Sequence, residues 1–188
     1  SAADEVWSEA GMVIKVKEPL PPEYPLMRPG QVVFTFLHLA ASRELTLALI
    51  ERKVTGIAYE TIEENGELPC LKPMSEIAGR LSVQEGAKYL EKPFGGRGVL
   101  LGGVPGVRSG KVVIIGAGTV GSNALKMAVG MGAAVTIMDI DTHKLTRLDD
   151  LYANRIQTIF SSEHAIRQEI RDADLVILWD RSAYPPED

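Results

Sequence analysis

Two patterns of apolar residues alternate along this chain. Short, largely unbroken apolar runs recur at residues 12–17 (MVIKVK), 31–37 (QVVFTFL), 54–59 (VTGIAY), 111–115 (KVVII), 134–138 (AVTIM), about 156–160 and 174–179. Runs of this length, rich in valine and isoleucine, predict strands of buried parallel sheets. Between them lie segments with helical spacing, at residues 3–10, 41–53, 73–92, 119–131, 142–152 and 162–173. The rhythm β-α-β with short links predicts parallel sheets with helices on their faces.

The breaks are as informative as the runs. Pro19, Pro21, Pro22, Pro25 and Pro29 make residues 19–30 a loop or a broken helix. Asn65-Gly66 marks a tight turn within a loop over residues 63–73. The long helix over residues 73–92 carries apolar positions Met74, Ile77, Ala78, Leu81, Ala87 and Leu90, and nothing stops it before Pro93. Lying between two α/β units, it reads as an inter-domain connector. The glycine-rich run over residues 95–110 is too apolar for a free linker, with Val99, Leu101, Val104 and Val107, and is expected to pack as an ordered loop against the cleft.

Chemistry enters at KVVIIGAGTVGSNALKMAVGMGAAVTIMD, residues 111–139. A strand leads into Gly116, Gly118 and Gly121 at G-x-G-x-x-G spacing. A helix follows and closes at Gly132, and a second strand ends on Asp139. Gly116 permits the tight turn, Gly118 lets a pyrophosphate approach the backbone, and Gly121 lets the helix pack on the strand. The helix N-terminus offers unpaired amides to the phosphates. Asp139 can accept from the adenosine ribose hydroxyls, and its charge disfavours a 2′-phosphate, so NAD is expected over NADP. The fold class is therefore α/β, with two Rossmann-like parallel-sheet units joined by a long connector helix. Residues 1–72 form a partial substrate domain, 73–92 the connector, and 93–188 a truncated NAD-binding domain.

In open parallel sheets, ligands bind beyond the carboxyl ends of strands. Lys17 ends the first strand and His38 ends the second, so neighbouring strands would bring an ammonium and an imidazole to one crevice. Oxidising an alcohol or amine by hydride transfer leaves a proton to remove, a task suited to histidine. A lysine can hold a substrate carboxylate or polarise a keto oxygen. His143 and His164 lie near the adenosine end and on an amphipathic helix, and are weaker candidates.

Composition narrows the partners. The 188 residues carry a net charge of −5, with no basic patch to suggest nucleic acid. Cys70 is the single cysteine, which suits a reducing cytoplasm and rules out an internal disulfide. No metal-ligand spacing is present, no run reaches the length of a membrane span, and the acidic N-terminus lacks a signal-peptide layout.

The segments KVKEPL, FTFLHLAA, AYET, PMSEIAGRLSVQEGA, GGRGVLLGGVPGV and IIGAGTVGSNA occur in series. In that order and with those gaps they resemble the alanine dehydrogenase and pyridine nucleotide transhydrogenase family, from about Glu5 to Val176. FLHLAA and GGVPGV resemble its alanine dehydrogenase branch. The resemblance implies reversible oxidative deamination of L-alanine to pyruvate and ammonium with NAD. It implies that Lys17 contacts pyruvate, that His38 binds substrate and transfers a proton, and that Ser75 lies near the cofactor. Gly116, Ala117, Gly118, Thr119, Val120 and Gly121 would hold the pyrophosphate and Asp139 the ribose, with Lys144 and Ser161 on the adenosine side. It also implies a homo-oligomer, hexameric in the family.

Family members are about twice as long. The chain thus reads as shortened at both ends, with the family's substrate-binding arginine and catalytic aspartate outside it. The alternative is a catalytically impaired NAD(H)-binding remnant. A third reading is a dehydrogenase of the same architecture for another amino or keto acid.

Overall fold

Residues 2–178 are described by a computed structural model of the protein. Trp179 and the tail after it, where the sequence pattern ends the last strand, lie outside the described residues. The chain divides into two units, with the boundary at Lys72 and Pro73. Among the described residues no helix is long and apolar enough to cross a membrane.

The first unit is a three-stranded parallel sheet in the order β1 (Met12–Ile14), β2 (Val32–Thr35), β3 (Thr55–Ala58). Helices α1 (Ala2–Glu9) and α2 (Arg43–Glu51) complete it. Val13 and Val33 pair in register and face a core of Trp7, Met27, Leu37, Leu45 and Leu49. Full burial of such side chains stabilises by about 1.5–3 kcal/mol each. Met12, Ile14 and Ile57 stay exposed, so the described residues cover one face of this sheet, not both.

Element boundaries here are set by local chemistry. β1 is shorter than the apolar run because the chain bends at Val16 and Lys17. It still runs beside β2, with the Lys15 amide donating to the Phe34 carbonyl at 3.0 Å. The proline-rich segment forms a 3₁₀ turn over Pro21–Leu26. Lys15, just after β1, braces that turn, its ammonium 2.6 Å from Glu23 Oε1. Burial alone would raise the Glu23 carboxyl, but Lys15 and the Leu20 amide together hold it below its ordinary value. α2 starts later than its apolar pattern because Ser42 caps it, the hydroxyl accepting from the Leu45 amide at 3.2 Å. Asn65 and Gly66, at φ 51° and 78°, form the expected tight turn, closed by paired 2.9 Å bonds between Glu64 and Glu67.

The second unit holds β4 (Lys111–Ile115), α4 (Thr119–Gly130), β5 (Ala134–Asp139), α5 (Thr142–Tyr152), β6 (Ile156–Phe160), α6 (Glu163–Glu169) and β7 (Leu175–Leu178). All pairings are parallel, in the order β6-β5-β4-β7. The chain moves outward from β4 through β5 to β6, then crosses to the other side of β4. That reversal creates a crevice at the carboxyl end of β4. Val112, Ile114, Ala124, Leu125, Ala128 and Ile137 form the core.

Helix α3 (Lys72–Tyr89) lies in this second unit from Pro73 onward, and its apolar pattern is buried only toward the C-terminal end, where Ala87 packs on the core and Leu90, just beyond the helix, joins it. Met74, Ile77 and Leu81 are exposed, while Gly79, Val83 and Gly86 turn inward. A Cβ on Gly79 would stand 2.2 Å from the Val120 carbonyl oxygen, and one on Gly86 would stand 2.6 Å from Leu175. Val83, fully buried between these notches, joins the core. Close backbone approach at Gly79 and Gly86, together with burial of Val83, selects the contact face.

The glycine-rich run before β4 is ordered, with Leu101 2% exposed in the core. Val104 and Val107 pair across a Pro105-Gly106 turn. The run packs at the C-terminal end of α4, where a Cβ on Gly102 would meet the Met131 carbonyl at 2.6 Å. This is the amino edge of the sheet, not the carboxyl edge that carries the Gly116 turn.

An added methyl at Gly79 must displace backbone of α4. Gly79→Ala is expected to lower stability by about 1–3 kcal/mol in urea unfolding, despite the roughly 1 kcal/mol by which alanine favours a helix. Ile77→Ala, at a position 57% exposed, should change it by less than about 0.5 kcal/mol. Equal losses would show that α3 does not pack through its glycine face.

Candidate functional site

The turn after β4 is built around a near-contact between backbones. Gly116 adopts φ 102°, outside the range comfortable for a residue with a Cβ. Its amide donates to the Met138 carbonyl at 2.7 Å, tying the turn to β5. Five residues on, a Cβ on Gly121 would lie 1.8 Å from the Gly116 carbonyl oxygen, so only glycine lets α4 come this close. Gly118 is the N-cap of α4 and offers no side-chain cap, which leaves first-turn amides unpaired. A Cβ on Gly118 would meet nothing within 4 Å. The turn thus presents open space over amides at the positive end of a helix, which fits a phosphate group.

Asp139 is 8% exposed at the end of β5 and is committed to backbone. Its Oδ2 accepts from the Ala117 amide at 2.6 Å and its Oδ1 from the Asp141 amide at 2.8 Å. The carboxylate therefore clamps the glycine turn to its own strand. Each oxygen keeps a second lone pair for a further donor. The Asp139 carbonyl accepts from the Ser161 amide at 3.0 Å, which places Ser161 beside the same strand end. The Ser161 hydroxyl is buried without a hydrogen-bond partner among the described residues. A buried polar atom of this kind is normally satisfied, and a donor or acceptor on a bound group would satisfy it.

Other sequence-predicted positions lie on α3, α4 and α5. Ser75 lies one turn before Gly79 on the same face of α3, the face that meets α4 at Val120. Lys144 sits in the first turn of α5, exposed, 3.8 Å from Asp141, whose side chain caps that helix. Thr119 and Val120 open α4, with Val120 buried. Asn123 was not anticipated. It is buried, donates to the Thr119 carbonyl at 2.9 Å, and accepts from Arg80 Nε of α3 at 3.2 Å.

In the first unit, β1 and β2 are neighbours, so Lys17 and His38 both stand at the carboxyl edge of adjacent strands. Both side chains are exposed. The buried Thr35 hydroxyl donates to the Lys17 carbonyl at 2.9 Å, fixing one tip to the other. His38 takes a left-handed backbone, φ 49° and ψ 40°. Its ring stacks on Phe36 at 5.9 Å, and Phe36 meets Tyr59 edge-on at 5.1 Å. Glu60, after β3, brings a carboxylate to the same edge and bonds the His38 amide at 2.7 Å. Its position, an acid closing a strand as Asp139 does, was the available signal.

The second unit defines the class. A strand, a glycine turn, a helix packed through Gly121 and a second strand ending on a clamped aspartate make this a Rossmann-like α/β protein. The family described as alanine dehydrogenase/PNT matches through its N-terminal domain at residues 1–78 and its C-terminal domain at residues 82–178. The chain belongs to the alanine dehydrogenase/PNT family. It is 56% identical to an alanine dehydrogenase of Geobacillus stearothermophilus, over 92% of this chain and 46% of that protein. It is 54% identical to one of Methanococcus maripaludis, over 94% of this chain and 48% of that protein. A solved L-alanine dehydrogenase structure superimposes with a TM-score of 0.80 at 55% identity, covering 92% of this chain and 48% of that one. The chain spans about half the length of the curated relatives it matches.

Removing the Asp139 carboxylate leaves the buried Ala117 amide and the part-buried Asp141 amide without their acceptor. Asp139→Ala is expected to destabilise the second unit by about 1–3 kcal/mol per lost partner, with faster hydrogen exchange at the Ala117 amide. An unchanged exchange rate there would mean that the clamp does not hold the turn.

Proposed function

We propose that this chain carries substrate-side and cofactor-side residues of an NAD-dependent L-alanine dehydrogenase. That activity interconverts L-alanine, NAD and water with pyruvate, ammonium, NADH and a proton. The carrying observation is the 54–56% identity to alanine dehydrogenases across more than nine-tenths of the chain. The site geometry supports it: Lys17 and His38 stand on adjacent strand tips.

NAD, when bound, supplies the acceptor for the hydride leaving the alanine α-carbon. The residues of the chain do the rest. Amides of the α4 first turn receive the pyrophosphate over Gly118, where a side chain would intrude. Asp139 offers its remaining lone pairs to the ribose hydroxyls, and Ser75, Lys144 and Ser161 line the cofactor. The Lys17 ammonium holds the substrate carboxylate or keto oxygen, and an opposite charge at that place orients the reacting carbon. The His38 imidazole takes the proton released on oxidation and returns it in the reverse direction. The same reading has a homo-oligomer working in the cytoplasm, consistent with one free cysteine, Cys70.

A second reading, a module that binds NAD(H) without turnover, is favoured by how the supporting geometry is distributed. The glycine turn and its Asp139 clamp are complete within the second unit and need neither Lys17 nor His38.

Two measurements separate these. NADH consumption with pyruvate and ammonium, run beside titration of NADH fluorescence, should give both turnover and binding. Binding without turnover supports the second reading, and a panel of keto acids tests the choice of pyruvate. His38→Ala should abolish turnover and leave NADH affinity at the wild-type level; loss of both would make His38 structural. Asp139→Ala should relax the preference for NADH over NADPH. Loss of binding to both would assign its main role to the turn clamp.

A further inference from the structure

Glu60 has the geometry of a group that sets another residue's position. Its Oε1 accepts from the amide of Leu37 at 3.1 Å and from that of His38 at 2.7 Å, and its Oε2 lies 3.2 Å from the Leu37 amide. These two amides are consecutive, and His38 then turns into the left-handed region at φ 49°. A residue with a Cβ adopts that conformation rarely. Successive amides converging at such a turn form a concavity that binds an anion. Here the anion is a side chain reaching over from the end of β3. The element carrying it, the 3₁₀ turn Tyr59–Thr61, also carries Tyr59, which packs on Phe34 and Phe36. Phe36 in turn stacks on the His38 ring. Backbone and ring of His38 are thus both referred to the end of β3.

We infer that Glu60 is a positioning residue, whose carboxylate holds the backbone of His38 in its left-handed turn and thereby fixes where the imidazole sits at the tip of β2. Its bearing on turnover rests on the reading of His38 as the proton-transferring group. The geometric part does not depend on that reading. Because one oxygen takes both amides, an amide oxygen can replace it, whereas a methyl group cannot. Glu60→Gln should therefore keep the arrangement and Glu60→Ala should lose it.

The test uses the whole chain and reads geometry and turnover separately. In ¹H–¹⁵N spectra, the His38 amide proton should move upfield in Glu60→Ala and stay near its wild-type position in Glu60→Gln. Formate, a free carboxylate, should restore it in the alanine variant. In the NADH assay, Glu60→Ala should lose about 100-fold in kcat, the penalty of a misplacement of roughly 1 Å, with NADH affinity unchanged and formate giving partial recovery. If Glu60→Ala does not fold, Glu60→Asp, whose shorter side chain withdraws the oxygens, takes its place in both readings. A His38 amide that stays put in the alanine or aspartate variant overturns the inference, as does a glutamine variant as impaired as alanine. A wild-type chain with no turnover speaks only against the proposed activity, since the amide resonance still decides the role of Glu60.

Discussion

The approach of α4 to the end of β4 is the constraint on which the second unit depends. With 1.8 Å between a Cβ on Gly121 and the Gly116 carbonyl oxygen, the helix can start where it does only because position 121 has no side chain. The start of α4 fixes the direction of its free amides. It also fixes where Ala117 stands, and so whether Asp139 can reach it from β5. The Ser161 amide then bonds the Asp139 carbonyl, which brings the loop after β6 to the same place. On the opposite side, α3 can lie against Val120 only because position 79 is also glycine. Each contact presupposes the one before it.

The two units solve one problem in the same way. A loop beyond the end of a parallel strand has left the ladder, and its amides need new acceptors. In each unit an acid from the adjoining strand end supplies one. Asp139 does this for the turn after β4, and Glu60 for the turn after β2. In both cases the acceptor is a carboxylate bound to backbone amides, a charge-assisted contact stronger than a neutral one. The loops that carry the candidate chemistry are thereby held by rigid neighbours instead of by their own sequence.

How much of this was legible follows from what each contact is made of. Strands β4 and β6 and helix α5 match the bounds of their apolar pattern, and at α5 the Asp141 cap marks the same start. The Gly116 turn was legible because its spacing encodes a fixed geometry. The face of α3 was legible only in part. Of its apolar positions Ala87 and Leu90 reach the core, whereas Met74, Ile77 and Leu81 stay exposed, because Gly79 and Gly86 pack by lacking a side chain. The glycine-rich run could be read as ordered from Leu101, but not located, since its place depends on the Met131 carbonyl. The adjacency of Lys17 and His38 could be posed from sequence and needed strand order to be seen. The clamps by Asp139 and Glu60 were hidden for a simpler reason. A strand-end acid has the same letter whether it serves a ligand or its own backbone.

The two notches of α3 sit seven residues apart, which is about 10.5 Å along a helix axis. One fits over a carbonyl of α4 and the other over Leu175 of β7. Sliding the helix by a single residue would bring Arg80 and Ala87 to those places, and the arginine has no room beside a carbonyl. The helix therefore works as a ruler with one permitted setting. It gauges the separation between the first turn of α4 and the start of β7, on either side of the strand that ends in the glycine turn.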